Sequence, residues 1–213
     1  MNSICGPIIG FSLYPITDIW FIGDSLITHL QEMAESRGLL NLGINSKKVV
    51  WLGTRGMRWE QIRQKFQLMM IENPQPAMIL IHLGGNDLAF IKQAKLMRAI
   101  KRDIQYIASV FPSTQIVWSD ILPRKSWRGV VPTTINLYKL DQKRKRINRA
   151  SHQIVRNFTF GKVIVHEIDT TPGLFKPDGV HLSYIGNAIF LNTIQEALLT
   201  FFTNATQNMY DAN

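Results

Sequence analysis

Short apolar runs alternate with longer helical stretches along almost all of this 213-residue chain, and that alternation leaves few folds open. The apolar runs at residues 19–22, 49–52, 77–83, 115–118 and 162–165 read as strands. Stretches of crossover length separate them at 25–37, 59–71, 94–111 and 134–158, and a last one follows at 183–202. Within 94–111, Leu96, Ile100, Ile104, Ile107 and Phe111 recur at close to helical spacing. Within 134–158, Leu137, Leu140, Ile147, Ile154 and Phe158 share one face, and Ser183 is placed to cap the last helix. Strands separated by helices of this length predict a parallel sheet covered on both faces. The expected fold class is therefore α/β, a three-layer αβα sandwich with about five parallel strands. With no internal repeat, low-complexity segment or linker, a single domain is predicted over 18–203. Residues 1–17 form an N-terminal extension in this reading, and the polar tail 204–213 is expected to fray.

Bulk properties narrow the classes further. A single cysteine, Cys5, excludes an intramolecular disulfide framework and a cysteine-based metal site. It fits a reducing compartment, so an intracellular, cytoplasmic location is expected. The apolar residues Ile8, Ile9, Phe11 and Leu13 lack a basic flank and are interrupted by Pro7 and Pro15, which makes a poor signal peptide. No uncharged apolar run is long enough to span a bilayer. The net charge of +9 favours contact with polyanions such as nucleic acid or anionic lipid headgroups.

Four short motifs carry candidate chemistry: Gly23-Asp24-Ser25-Leu26, Gly53-Thr54-Arg55-Gly56, Gly84-Gly85-Asn86-Asp87 and Asp178-Gly179-Val180-His181. The first three follow predicted strands, and ligands of open α/β sheets bind outside the carboxyl ends of the strands. Ser25 opens a helix, where its hydroxyl and N–H meet the positive end of the helix dipole. That suits a nucleophile whose target oxygen becomes negative, although a helix cap is the commoner use of such a serine. His181 can act as general base, and Asp178, three residues earlier, can orient its ring. Asp-Gly is also a turn signal in its own right. Gly56 N–H, Ser25 N–H and the Asn86 side chain are candidate oxyanion donors. Each glycine-rich motif taken singly reads more readily as loop punctuation or a turn than as an oxyanion donor.

In this order, the motifs resemble those of the SGNH hydrolases, also called the GDSL esterase/lipase superfamily. The hallmark serine, glycine, asparagine and histidine fall on Ser25, Gly56, Asn86 and His181, with Asp178 as the acid. The resemblance covers residues 18–202. It implies a flavodoxin-like sandwich and a cofactor-independent serine esterase acting on short acyl esters, acetyl esters foremost. Ser25, His181 and Asp178 would then form the triad, and Ser25, Gly56 and Asn86 the oxyanion hole. The second motif departs from the family's small-residue loop, because Arg55, Met57, Arg58 and Trp59 flank Gly56; Gly53 is the alternative. The Gly-x-Ser-x-Gly elbow of the larger α/β-hydrolases is absent around Ser25. A finer resemblance rests on 177–183, Gly186-Asn187, 82–87 and the basic helix, which look like esterase domains in the first open reading frame of vertebrate LINE-type retrotransposons. It implies acetylesterase-like activity near RNA or membranes.

The remaining candidates concern substrate and partners. Lys143, Arg144, Lys145 and Arg146 form a basic run that could bind RNA or an anionic membrane, or simply be a solvated helix face. Arg124, Lys125 and Arg128 surround Trp127 in the longest connection near the strand ends, 122–132, where Trp127 and Arg128 are expected to wall a substrate cleft. The other loops are too short for a lipase-type lid, which favours small acyl groups. His29, one helical turn beyond Ser25, reads either as a neighbour of Ser25 or, the commoner case, as an exposed helix histidine, and His82 is expected to be a hydrogen-bonded core residue. Asp24 and Asp87 are expected to tie down the loops that carry Ser25 and Asn86. No metal motif, phosphate loop or dinucleotide fingerprint is present, so neither metal nor cofactor is expected.

Overall fold

The computed structural model describes residues 18–44 and 47–212. Cys5 and the N-terminal extension lie outside the described residues. The chain forms a six-stranded sheet from β1 (Ile19–Gly23), β2 (Val49–Gly53), β3 (Met78–His82), β4 (Gln115–Ser119), β5 (Gly161–Val165) and β6 (Met209–Asp211). Every neighbouring pair is parallel, in the order β2-β1-β3-β4-β5-β6. The order reverses direction at β1, between β2 and β3, as in flavodoxin-like sheets.

Five helices cover the sheet: α1 (Ser25–Ser36), α2 (Ile62–Glu72), α3 (Gln93–Val110), α4 (Thr134–Arg156) and α5 (Tyr184–Thr203). A short 3-10 turn, Trp59–Gln61, precedes α2 where one continuous helix was expected. The central strands β1 and β3 are buried at every position because both faces of the sheet are covered there. Their side chains still sort by parity. Ile19, Phe21, Met78 and Leu80 pack with α1 and α5, whereas Trp20, Ile22, Ile79 and Ile81 pack under α2, α3 and α4. Two apolar cores on opposite faces of one sheet make the predicted three layers.

The sixth strand replaces the expected frayed tail. Lys162, in β5, buries its stem beside the Phe201 ring and donates from Nζ to the carbonyls of Ala205 and Gln207, at 2.7 and 2.6 Å. Tyr210 then donates its hydroxyl to Glu196 of α5 at 2.7 Å. That bond to a carboxylate pushes the Tyr210 phenol up to about 12. Three strand residues hold because these two side chains satisfy the returning backbone and clamp it to α5.

Tight approach fixes the carboxyl end of the sheet. A Cβ added at Gly53 would overlap the backbone nitrogen of Thr28 in α1. Beneath the same end, buried His82 Nδ1 and Ser119 Oγ and half-buried His166 Nε2 form a chain with steps of 3.0 and 2.7 Å. Burial drives His82 down to about 4 and His166 well below the ordinary histidine range.

Gly53→Ala is expected to cost about 1–3 kcal/mol by forcing α1 off β2, read as a lower urea midpoint. These histidines set a pH dependence. Above pH 6.5 His82 is neutral in both states; as pH falls toward about 4 only the unfolded chain takes the proton, so stability drops. Asp87, whose carboxyl burial pushes up to about 6, acts with the opposite sign within part of this window, so the readout is a difference between variants. Relative to His82→Asn, the wild type should lose about 3 kcal/mol more between pH 7 and pH 4 in denaturant titrations.

Candidate active site

Asp24 ends β1 and caps α1, accepting the Leu26 N–H on Oδ1 at 2.9 Å. This puts Ser25 in the first turn of α1 at the carboxyl edge of the sheet. Its hydroxyl lies 3.0 Å from His181 Nε2. His181 Nδ1 lies 2.7 Å from Asp178 Oδ2, so its N–H points at the carboxylate and leaves Nε2 to face the serine. Asp178 Oδ1 accepts the backbone N–H groups of Val180 and His181, each at 2.9 Å, which closes the turn that was read from the three-residue spacing. Burial raises the Asp178 carboxyl, but the hydrogen bond from His181 and the two backbone bonds outweigh it and hold the group at about 2. The carboxylate therefore stays ionised across the neutral range.

The third motif forms a 3-10 turn, Gly85–Asp87, after β3. Asn86 Nδ2 donates to the Met57 carbonyl at 3.0 Å and, more weakly, to Asp24 Oδ2 at 3.3 Å. Arg124 Nη1 donates to Asn86 Oδ1 at 3.0 Å, which fixes the orientation of the amide. Asp87 Oδ2 accepts the Trp59 N–H at 3.0 Å and so ties the second motif's loop to the third. Gly56 is exposed with φ +71°, and an added Cβ would meet open space, so its glycine is required by backbone conformation. Gly53 is packed against α1 instead, which makes it a structural residue of the β2–α1 contact. Among the described residues, neither Ser25 N–H nor Gly56 N–H has a protein acceptor.

These residues meet in one cleft of about 350 Å³, whose wall includes Ser25, Gly56, Asn86 and His181. Trp127 and Arg128 also line it, Trp127 being almost fully buried in the apolar core. Their loop is pinned to the His181 turn, because Lys125 and Ser126 both donate N–H to the Gly179 carbonyl, at 2.8 and 3.2 Å. His29 takes the less common of its two sequence readings. It lines the cleft one helical turn after Ser25, packs edge-on to His181 at 5.0 Å between centroids, and hydrogen-bonds Glu32 at 2.8 Å. Its spacing of four from Ser25 was the available signal.

Sequence reasoning missed Arg124 as the centre of the site. Its side chain is 5% exposed and its Nη2 meets Asp24 Oδ2 at 3.3 Å. Arg55, Arg58 and Phe90 are further cleft residues that it did not single out.

The basic run on α4 does not present one face. Lys143 is turned inward and donates to the carbonyls of Leu88 and Ile91. Arg144 donates to Asp141 and to the Ile121 carbonyl, and Lys145 pairs with Asp141 at 3.1 Å. Arg146 is exposed. Successive helix residues are about 100° apart, so four adjacent cations surround the helix. No group of three or more potential metal ligands occurs among the described residues, and no helix among them is long and apolar enough to cross a membrane.

Removing the cation at Arg124 would leave Asp24 buried without its charge partner. Arg124→Met is therefore expected to cost about 3–5 kcal/mol in chemical denaturation, whereas an exposed control such as Arg146→Met should stay within about 0.5 kcal/mol.

No family model matches the chain, and no curated protein matches it in sequence. Solved structures do match. A Streptococcus pneumoniae protein named for platelet activating factor superposes with a TM-score of 0.65 at 20% identity, over 88% of this chain and 86% of that one. A carbohydrate esterase family 3 structure from Talaromyces cellulolyticus gives 0.62 at 16% identity, over 88% and 99%. A mutant acetyl esterase holding an acetate ion gives 0.62 at 14%, over 89% and 100%. GDSL-like lipases, a lipase/acylhydrolase and an SGNH hydrolase are among the other neighbours, and the finer likeness to retrotransposon domains finds no support in them. The chain has the three-layer fold seen in SGNH, or GDSL, hydrolase structures.

Proposed function

We propose that this protein is a serine carboxylic ester hydrolase acting on short acyl esters. The observation that carries this reading is the continuous hydrogen-bonded line Asp178–His181–Ser25 opening into the cleft. A turn made only to punctuate a loop has no need of a serine hydroxyl 3.0 Å from its histidine.

Ser25 Oγ attacks the ester carbonyl carbon while His181 Nε2 takes its proton. Asp178 holds the ring and stabilises the imidazolium that forms. The negative oxygen is held by the unpaired N–H groups of Ser25 and Gly56, helped by the positive end of α1. Asn86 lines the cleft beside them, and it joins them by a shift of the whole amide that gives up the weaker 3.3 Å contact with Asp24. The tetrahedral species collapses as the alkoxide leaves and takes the proton from His181. Water, activated by the same histidine, then hydrolyses the acyl-serine to the acid. No step requires a metal or cofactor.

A cleft of about 350 Å³ walled by Trp127 and Phe90 fits a short acyl group better than a long chain. Acetyl esters are the favoured class, and the acetyl esterase among the structural neighbours supports that choice.

Hydrolysis of p-nitrophenyl esters from acetate to octanoate tests the proposal. Turnover should fall with chain length, and Ser25→Ala should lower kcat by about 10⁴-fold or more, with Asp178→Asn losing about 10³–10⁴. Full activity in Ser25→Ala would place the nucleophile elsewhere.

A further inference from the structure

The cleft wall carries four arginines, Arg55, Arg58, Arg124 and Arg128, and no carboxylate. Two of them have partners behind the wall. Arg124 faces Asp24 at 3.3 Å, and Arg55 lies 3.7 Å from Glu32. Arg58 and Arg128 form no ion pair with a carboxylate among the described residues. Arg58 stacks its guanidinium on the Phe90 ring, 4.6 Å from the centroid, which holds the group flat at the wall. Stacking covers a face of a guanidinium and leaves its N–H edge available. Arg128 is exposed beside Trp127, on the loop pinned to the His181 turn.

A neutral acyl ester has no use for two guanidiniums outside any ion pair beside the reacting carbonyl, of which Arg58 also feels the field of the buried Asp87 carboxyl. A solvated surface does not explain them either, since both line the one concavity that holds Ser25 and His181. Planar N–H forks suit oxyanions such as carboxylate, phosphate or sulfate, which they bind through charge-assisted bonds. Field lines in a concave site between low-dielectric walls also concentrate anionic ligands.

We propose that the cleft selects small esters that carry a second, permanently anionic group, with Arg58 and Arg128 as the residues that hold it. This rests on the ester hydrolase reading and names its substrate class. The anionic group can sit on either the acyl part or the alcohol part, and matched substrates separate the two.

The test uses the full chain at low ionic strength. On the acyl side, p-nitrophenyl hemisuccinate is compared with neutral p-nitrophenyl butyrate. On the alcohol side, 4-acetoxybenzoate is compared with neutral 4-acetoxybenzamide. At least one anionic ester should exceed its neutral counterpart in kcat/KM by about tenfold, chiefly through KM, and the preference should shrink as salt is added. In Arg58→Gln/Arg128→Gln the anionic-to-neutral ratio should fall toward one. Parity in both pairs for the wild type, or a preference that persists in the double variant, overturns the proposal and leaves the esterase reading standing. Absence of Ser25-dependent turnover of every ester overturns both.

Discussion

One buried ion pair, Asp24 with Arg124, ties the carboxyl ends of three neighbouring strands into a single site. Asp24 closes β1, Arg124 follows β4, and Asn86 from the end of β3 touches both. Asp24 uses one oxygen to cap α1 and the other to receive Arg124 and Asn86. Such a pair contributes little net energy compared with apolar residues of the same size, because both charges leave water. Its effect is on geometry. Each alternative placement of these loops would leave a charge buried without a partner, and that is costly. The packing agrees, because a Cβ at Gly85 would run into the Arg124 guanidinium.

The proposed triad is assembled differently. Asp178 and His181 hold one another within a local turn, and the long β4–α4 connection docks on that turn through the Gly179 carbonyl. Asp178 and His181 are therefore positioned by short-range chemistry, and Ser25 and Asn86 by the buried pair. The Ser25–His181 hydrogen bond joins the two halves across 156 residues of sequence.

That division explains what could be read from the chain. Ser25, Asn86, Asp178 and His181 were legible because each follows a strand or sits in a short turn whose residues announce it. The layers were legible because continuous apolar runs separated by helical periods admit few arrangements. Arg124 was not, since its partner Asp24 lies 100 residues away and an arginine beside Lys125 looks like ordinary surface charge. The basic run on α4 shows the same limit. Charge is visible in a sequence, but the direction of a side chain is not, and Lys143 points into the protein. Strand β6 escaped notice because three residues carry too little periodicity; its determinants are Lys162 and Tyr210, whose contacts are long-range.

A carboxylate immediately before the proposed nucleophile raises an electrostatic difficulty that the same ion pair resolves. Attack on an ester creates negative charge beside Ser25, and an uncompensated Asp24 would oppose it in a site of low dielectric. Arg124 cancels that charge at its source. It also donates to Asn86 Oδ1, and a donor on the carbonyl of an amide polarises its N–H groups toward stronger donation. Cap, anchor and charge balance are thus the work of one contact. With Asp24 already neutralised by Arg124, the remaining positive field of Arg58 and Arg128 is left to act on the substrate.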